Sequence, residues 1–89
     1  MQIKIHHAAK KYLERLPPQD RDRIEAAIEG LTENPPKGDI KPYVGCPGIW
    51  RLKEGNFRIL YEFKNDMLYI SRIAPRGQAY TRETRNRRG

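Results

Sequence analysis

The stretch IWRLKEGNFRILYEF, Ile49 to Phe63, decides how this chain folds. It reads as two strands joined by a turn at Glu54-Gly55-Asn56. Side chains alternate between the two faces of a strand. Trp50 and Leu52 therefore share one face, and Ile49, Arg51 and Lys53 the other. On the second strand Phe57, Ile59, Tyr61 and Phe63 share a face, while Arg58, Leu60 and Glu62 take the opposite one. If the aromatic and aliphatic set covers a core, Arg51, Lys53 and Arg58 emerge together on the far side. Burying such cations unpaired would cost several kcal/mol each, on the order of the desolvation penalty of an ion.

Working outward, Gln2 to His6 alternates with Ile3 and Ile5 on one face and predicts a short first strand. Ala9, Leu13 and Leu16, with Tyr12 beside them, have helical spacing and predict a helix over Ala8 to Leu16. Pro17-Pro18 stops it, because proline lacks an amide donor and restricts the residue before it. Ile24, Ala27, Ile28 and Leu31 form the apolar stripe of a second helix, Gln19 to Glu33, which Asn34-Pro35-Pro36 ends. So short a connection predicts an antiparallel helical hairpin. Lys37 to Gly48, rich in Gly and Pro, reads as a loop. Lys64-Asn65-Asp66 turns the chain into a last strand, Met67 to Ile73. Ala74 to Tyr80 leaves the sheet, and the basic end TRETRNRRG is either a frayed helix or disordered. The expected fold class is α+β: a small antiparallel sheet of about four strands packed on an N-terminal two-helix hairpin. The 89 residues form a single domain, with a basic tail at about 81–89.

Charge is segregated along the chain. Residues 1–36 hold six Lys/Arg and six Asp/Glu, so the whole net charge of +7 lies in residues 37–89. A polyanionic partner for the sheet half is the natural expectation. Arg51, Lys53, Arg58, Arg76 and Tyr80 make a candidate phosphate site with an aromatic platform, with Arg72 near its rim. Guanidinium groups bind phosphate oxygens through paired hydrogen bonds, and an aromatic ring can stack a splayed base. RNA carries its own nucleophile, the 2′-hydroxyl, so a cationic pocket that holds the backbone in line can promote cleavage without a metal. His6 and His7 are adjacent, point apart in a strand and lack further ligands nearby, so no metal site is expected. The lone Cys46 allows no intramolecular disulfide and has no histidine near it in sequence. With no membrane-spanning run and no signal-peptide pattern, the expected setting is soluble and cytoplasmic, with no membrane partner.

The run KPYVGCPGIWRLKEGNFRILYEF, Lys41 to Phe63, is similar to a pattern of the RelE/ParE toxin superfamily. In that pattern a leucine–x–glycine is followed by an aromatic, basic residues, and then glycine–aromatic–arginine–hydrophobic–hydrophobic–tyrosine. IAPRGQAY, Ile73 to Tyr80, resembles the superfamily's C-terminal arginine, three residues, tyrosine. Val44 or Tyr43 stands where the family has its leucine, and a shifted alignment makes Arg72 a rival of Arg76. The resemblance implies a RelE-like fold and the toxin of a type II toxin–antitoxin pair, with the RelE-like mRNA interferase branch favoured. That branch enters the ribosomal A site and cleaves mRNA by 2′-hydroxyl attack, inhibiting translation; a cognate antitoxin blocks the cationic face. By this resemblance Arg58 stabilises the scissile phosphate, and Arg51 and Lys53 activate the 2′-hydroxyl and hold the backbone. Arg76 stabilises the leaving 5′-oxygen, and Tyr80 stacks on a base or orients the nucleophile. Arg72, Arg82 and Arg85 are expected to bind RNA, and no cofactor is implied. The alternatives are a ParE-like poison of DNA gyrase, or a non-catalytic relative that binds only RNA or its antitoxin.

Overall fold

The computed structural model describes residues 1–77. Seven elements follow one another: β1 (Gln2–Ile5), α1 (His7–Arg15), α2 (Pro18–Gly30), β2 (Asp39–Pro42), β3 (Trp50–Glu54), β4 (Phe57–Lys64) and β5 (Met67–Pro75). His6 caps α1, its Nδ1 accepting from the Ala8 amide at 3.2 Å. The helix ends at Leu16, which the following proline forces into an extended conformation. Pro18 then opens α2 at a position whose amide would have no intrahelical acceptor anyway.

The five strands form one sheet in the order β1-β5-β4-β3-β2. Two features differ from the sequence expectation. Asp39–Pro42, read as loop, is a fifth strand paired antiparallel with β3. Its single inward apolar residue, Ile40, sits between a glycine and a proline, so its own pattern is too short to declare a strand, and pairing with β3 makes it one. The sheet is also mixed rather than antiparallel, because β1 lies parallel to β5 at the edge opposite β2. The helices and three strands between β1 and β5 supply the long return that a parallel pair requires.

The core forms where the helix stripes meet one sheet face. Ala9, Leu13, Ile24, Ile28 and Leu31 pack on Leu52, Ile59, Tyr61, Leu68, Ile70 and Ile73. Tyr12 packs edge-on to Phe57, with ring centroids 6.5 Å apart. Each aliphatic side chain buried there stabilises by roughly 1.5–3 kcal/mol. Strict alternation along β5 would carry Leu68 and Ile70 into this core and Arg72 after them. A bulge prevents it: Tyr61 pairs with Ile70 and Leu60 with Arg72, which leaves Ser71 as the extra residue. The Ser71 hydroxyl donates to the Leu60 carbonyl at 3.1 Å. Past the bulge Ile73 is buried and Arg72 joins the opposite face.

Candidate nucleic-acid interface

Strand register assembles the open face from residues far apart in sequence. Lys41, Arg51, Leu60 and Arg72 form one row across β2, β3, β4 and β5. Asp39, Lys53, Arg58 and Ala74 form the next. Neighbouring strands lie about 4.8 Å apart, so adjacent cations in a row are close enough to share one polyanion. Lys4 adds a further cation, its Nζ lying 5.8 Å from the centre of the Tyr69 ring.

The cations of this face are held differently. Lys53 is exposed and has no bonded partner among the described residues. Arg51 is mostly covered; its Nη1 donates to the Asp39 carbonyl at 3.5 Å and lies 3.7 Å from the Asp39 carboxylate. Both contacts are long, so a stronger anion can compete for the guanidinium. Arg58 corrects the expectation of three cations standing out together. It faces Lys53 in the register as foreseen, yet it is only 6% exposed. Its Nη1 donates to the carbonyls of Gly55 and Phe57 at 3.0 and 2.9 Å. The guanidinium folds back over the hairpin turn, and those two acceptors offset its desolvation. Nε and Nη2 have no bond among the described residues, so the anchored group retains donors. Glu54, a conceivable partner for Arg58, belongs to the helix-side face and pairs with Arg23 at 2.7 Å.

The chain after β5 returns to the hairpin. Pro75 pairs with Phe57, and the Arg76 amide donates to the Asn56 carbonyl at 2.6 Å. Arg76 is exposed beside the turn on which Arg58 is folded. Arg72 is half-buried on the same face as Arg51. Tyr80, Arg82 and Arg85 lie outside the described residues. Among the described residues no group of His, Cys, Asp or Glu could hold a metal ion, and no helix is long and apolar enough to cross a membrane.

Sequence reasoning missed two features. Lys41 belongs to the cationic face; the alternation Asp39-Ile40-Lys41 was its signal, hidden inside a Gly/Pro-rich segment. On the helix-side face, Trp50 and Phe63 stay 39% and 42% exposed and flank an apolar groove of about 370 Å³ floored by Tyr61 and Ile40. Alternation assigned both rings to the core face, but no residue of α1 or α2 lines the groove beside them.

Solved structures share this architecture. The chain is similar to RelE in the RelB–RelE antitoxin–toxin complex from Methanococcus jannaschii, with a TM-score of 0.71 and 27% identity over 88% of this chain and 95% of that one. It is likewise similar to the archaeal RelE–RelB complex from Pyrococcus horikoshii, with a TM-score of 0.70 and 25% identity over 86% and 96% of the two chains. Fold and face thus define a small α+β domain of the RelE type with a cationic sheet surface. In sequence, the RelE1 protein of Methanocaldococcus jannaschii is 34% identical over 83 residues, 88% of this chain and 92% of that protein. The pattern of the ParE toxins of type II toxin–antitoxin systems matches residues 3–80, and the chain belongs to that family.

Proposed function

We propose that this toxin is a ribosome-dependent mRNA endonuclease that an antitoxin holds inactive. The observation that carries the reading is the pairing of Lys53 with Arg58 on the open face, one row from Arg51. In the proposed reaction the 2′-oxygen attacks the adjacent phosphorus and loses its proton, and the P–O5′ bond breaks. The products are a 2′,3′-cyclic phosphate and a 5′-hydroxyl, whose oxygen takes up a proton. Arg58, fixed by Gly55 and Phe57, would meet the non-bridging oxygens with its remaining donors. Lys53 and Arg51 would hold the backbone in line, and Arg76 would stabilise charge on the leaving oxygen. A guanidinium offers fixed hydrogen-bond donors and a permanent charge rather than a transferable proton, so its role here is electrostatic. Tyr80 is assigned the stacking role, and Arg82 and Arg85 further RNA contacts. The RelE chains of the two solved complexes are bound to RelB, which supports a cognate antitoxin as this protein's partner. Action on translating ribosomes places the proposed site of function in the cytoplasm.

The test is primer extension on mRNA in a translation extract. Codon-phased cuts are expected, and Lys53→Ala should slow them about 10²–10³-fold, the usual cost of one transition-state donor. Lys53 suits this test because it is exposed and makes no bond among the described residues, so its loss leaves the fold alone. A second reading, a gyrase poison that cuts no RNA, draws on the commitment of the Arg58 Nη1 to its own turn. Intact mRNA together with trapped gyrase–DNA complexes would establish that reading and refute the first.

A further inference from the structure

β1 is shorter than the strand it accompanies. Its register with β5 ends at Ile5 and Ile70, and the His6 amide makes the last bond, to the Ile70 carbonyl at 2.8 Å. β5 runs on to Pro75. The space beside this extension is a notch of about 320 Å³ between the opening of α1 and the bulged part of β5. His6, Ala8 and Tyr12 line it from one side, and Ser71, Arg72 and Ile73 from the other. Arg72, which lines it, has its Nε buried without a hydrogen-bond partner among the described residues. An unmet buried donor is costly, more so on a charged group, and a ligand oxygen would relieve it.

We propose that this notch is a subsite for one phosphorylated nucleotide of a single-stranded RNA, the phosphate on Arg72 and the base against Tyr12. For the identity of the ligand, this rests on the RNA-cleaving reading above. Three observations select the chemistry. No carboxylate lines the notch among the described residues, although that of Asp20 acts on Tyr12 in its wall, and Arg72 is the one permanently charged side chain of the lining among them. Beyond Arg72, the His6 imidazole and the Ser71 hydroxyl, the wall is Tyr12 and aliphatic side chains, which suits the flat face of a base better than a bare inorganic ion. Its volume lies at the low end of small-molecule sites, roughly 300–1,000 Å³, enough for a single nucleotide. Continuity favours RNA over an acidic peptide: Arg72 ends the row that begins with Lys41 and Arg51. Two strand spacings, about 10 Å, separate Arg51 from Arg72, so a strand crossing the cationic face reaches the notch.

The test titrates the full chain with adenosine 5′-monophosphate, inorganic phosphate and hexaglutamate, following ¹H–¹⁵N shifts. The nucleotide should move the Arg72 Nε–H and the Ala8 and Ser71 amides, and inorganic phosphate should move them less. Ala8→Glu is the discriminating variant. Ala8 is exposed in the first turn of α1, where a carboxylate suits the helix, so the fold is kept while a negative charge enters the mouth of the notch. Nucleotide affinity should fall at least about tenfold, as for the loss of roughly one favourable charge contact. Arg72→Gln should abolish the Ser71 shift. Unchanged affinity in Ala8→Glu overturns the proposal, as do shifts confined to Arg51 and Lys53. Stronger shifts with hexaglutamate also overturn it and identify a peptide site. The two readings fail separately: intact mRNA in the extract beside a nucleotide shift lost in Ala8→Glu sinks only the nuclease, and codon-phased cuts without that shift sink only the subsite.

Discussion

Replacing Arg58 with alanine should unfold a substantial fraction of this protein's stability before it says anything about chemistry. The Arg58 Nη1 makes two hydrogen bonds from an ionised donor, to Gly55 and Phe57. Such bonds contribute about 1.5–3 kcal/mol each, net of desolvation. Gly55 is exposed, so water replaces the bond to its carbonyl at little cost, which leaves about 2–3 kcal/mol from the pair. The substitution also strips two methylenes from a side chain only 6% exposed, about 1.5 kcal/mol more. The total, about 4 kcal/mol, compares with roughly 4–13 kcal/mol for a domain of this length. In a urea titration with a slope of about 1.5 kcal/mol per molar, the midpoint should fall by about 2–3 M. Arg58→Met keeps the stem but no donors, and should recover about 1.5 kcal/mol of the loss. A drop below about 1 kcal/mol for Arg58→Ala, or identical midpoints for the two variants, would show that the side chain does not hold the turn. Activity lost in an Arg58 variant therefore bears on catalysis only at temperatures where circular dichroism shows the variant folded.

Two further expectations concern single positions. Gly38 has φ +124°, and a methyl added there would sit 2.5 Å from the buried Leu52 Cδ1; Gly45, at φ +86°, has nothing within 4 Å of such a methyl. Gly38→Ala should therefore cost about 1–3 kcal/mol more than Gly45→Ala, and melt several degrees lower, since only the first adds overpacking to backbone strain. Equal melting temperatures would contradict the packing of Leu52 beneath the start of β2. Burial raises the Tyr61 phenol above its ordinary value of 10.0, and burial followed by the Asp20 carboxylate raises that of Tyr12. A phenol whose folded pKa is raised holds its proton more tightly when folded. Its contribution is complete below pH ~10 and is lost as the pH climbs through the higher folded value. Stability should thus decline above pH ~10, and less steeply in Tyr61→Phe; an equally steep decline in that variant would count against the assignment.

Most of the architecture was legible because it follows from local chemistry. Pro17-Pro18 must separate two helices, and the spacing of Leu13, Ile24 and Ile28 marks the faces that are buried. The turn at Gly55, with φ +56°, fixes the register that sets Lys53 opposite Arg58. Less legible was β2, whose four residues carry too little pattern to outweigh the glycine and prolines around them. The parallel pairing of β1 was equally hidden, since alternation reveals a strand's faces and not its neighbours.

The division is sharpest at the cations. Sequence alone determined that the positive charge gathers in the second half of the chain. It also determined that Arg51, Lys53 and Arg58 share one parity, because strand geometry leaves them no other arrangement once Leu52 and Ile59 are buried. Tertiary structure decided what each cation does. A one-residue bulge at Ser71, invisible to periodicity, turned Arg72 out of the core and up to the notch. The carbonyls of Gly55 and Phe57, exposed by the way the turn closes, drew the Arg58 guanidinium down against the protein. Asp39 came within reach of Arg51 only because β2 paired with β3. Parity is a property of one strand, whereas burial, pairing and the aim of a long side chain depend on atoms that other segments bring.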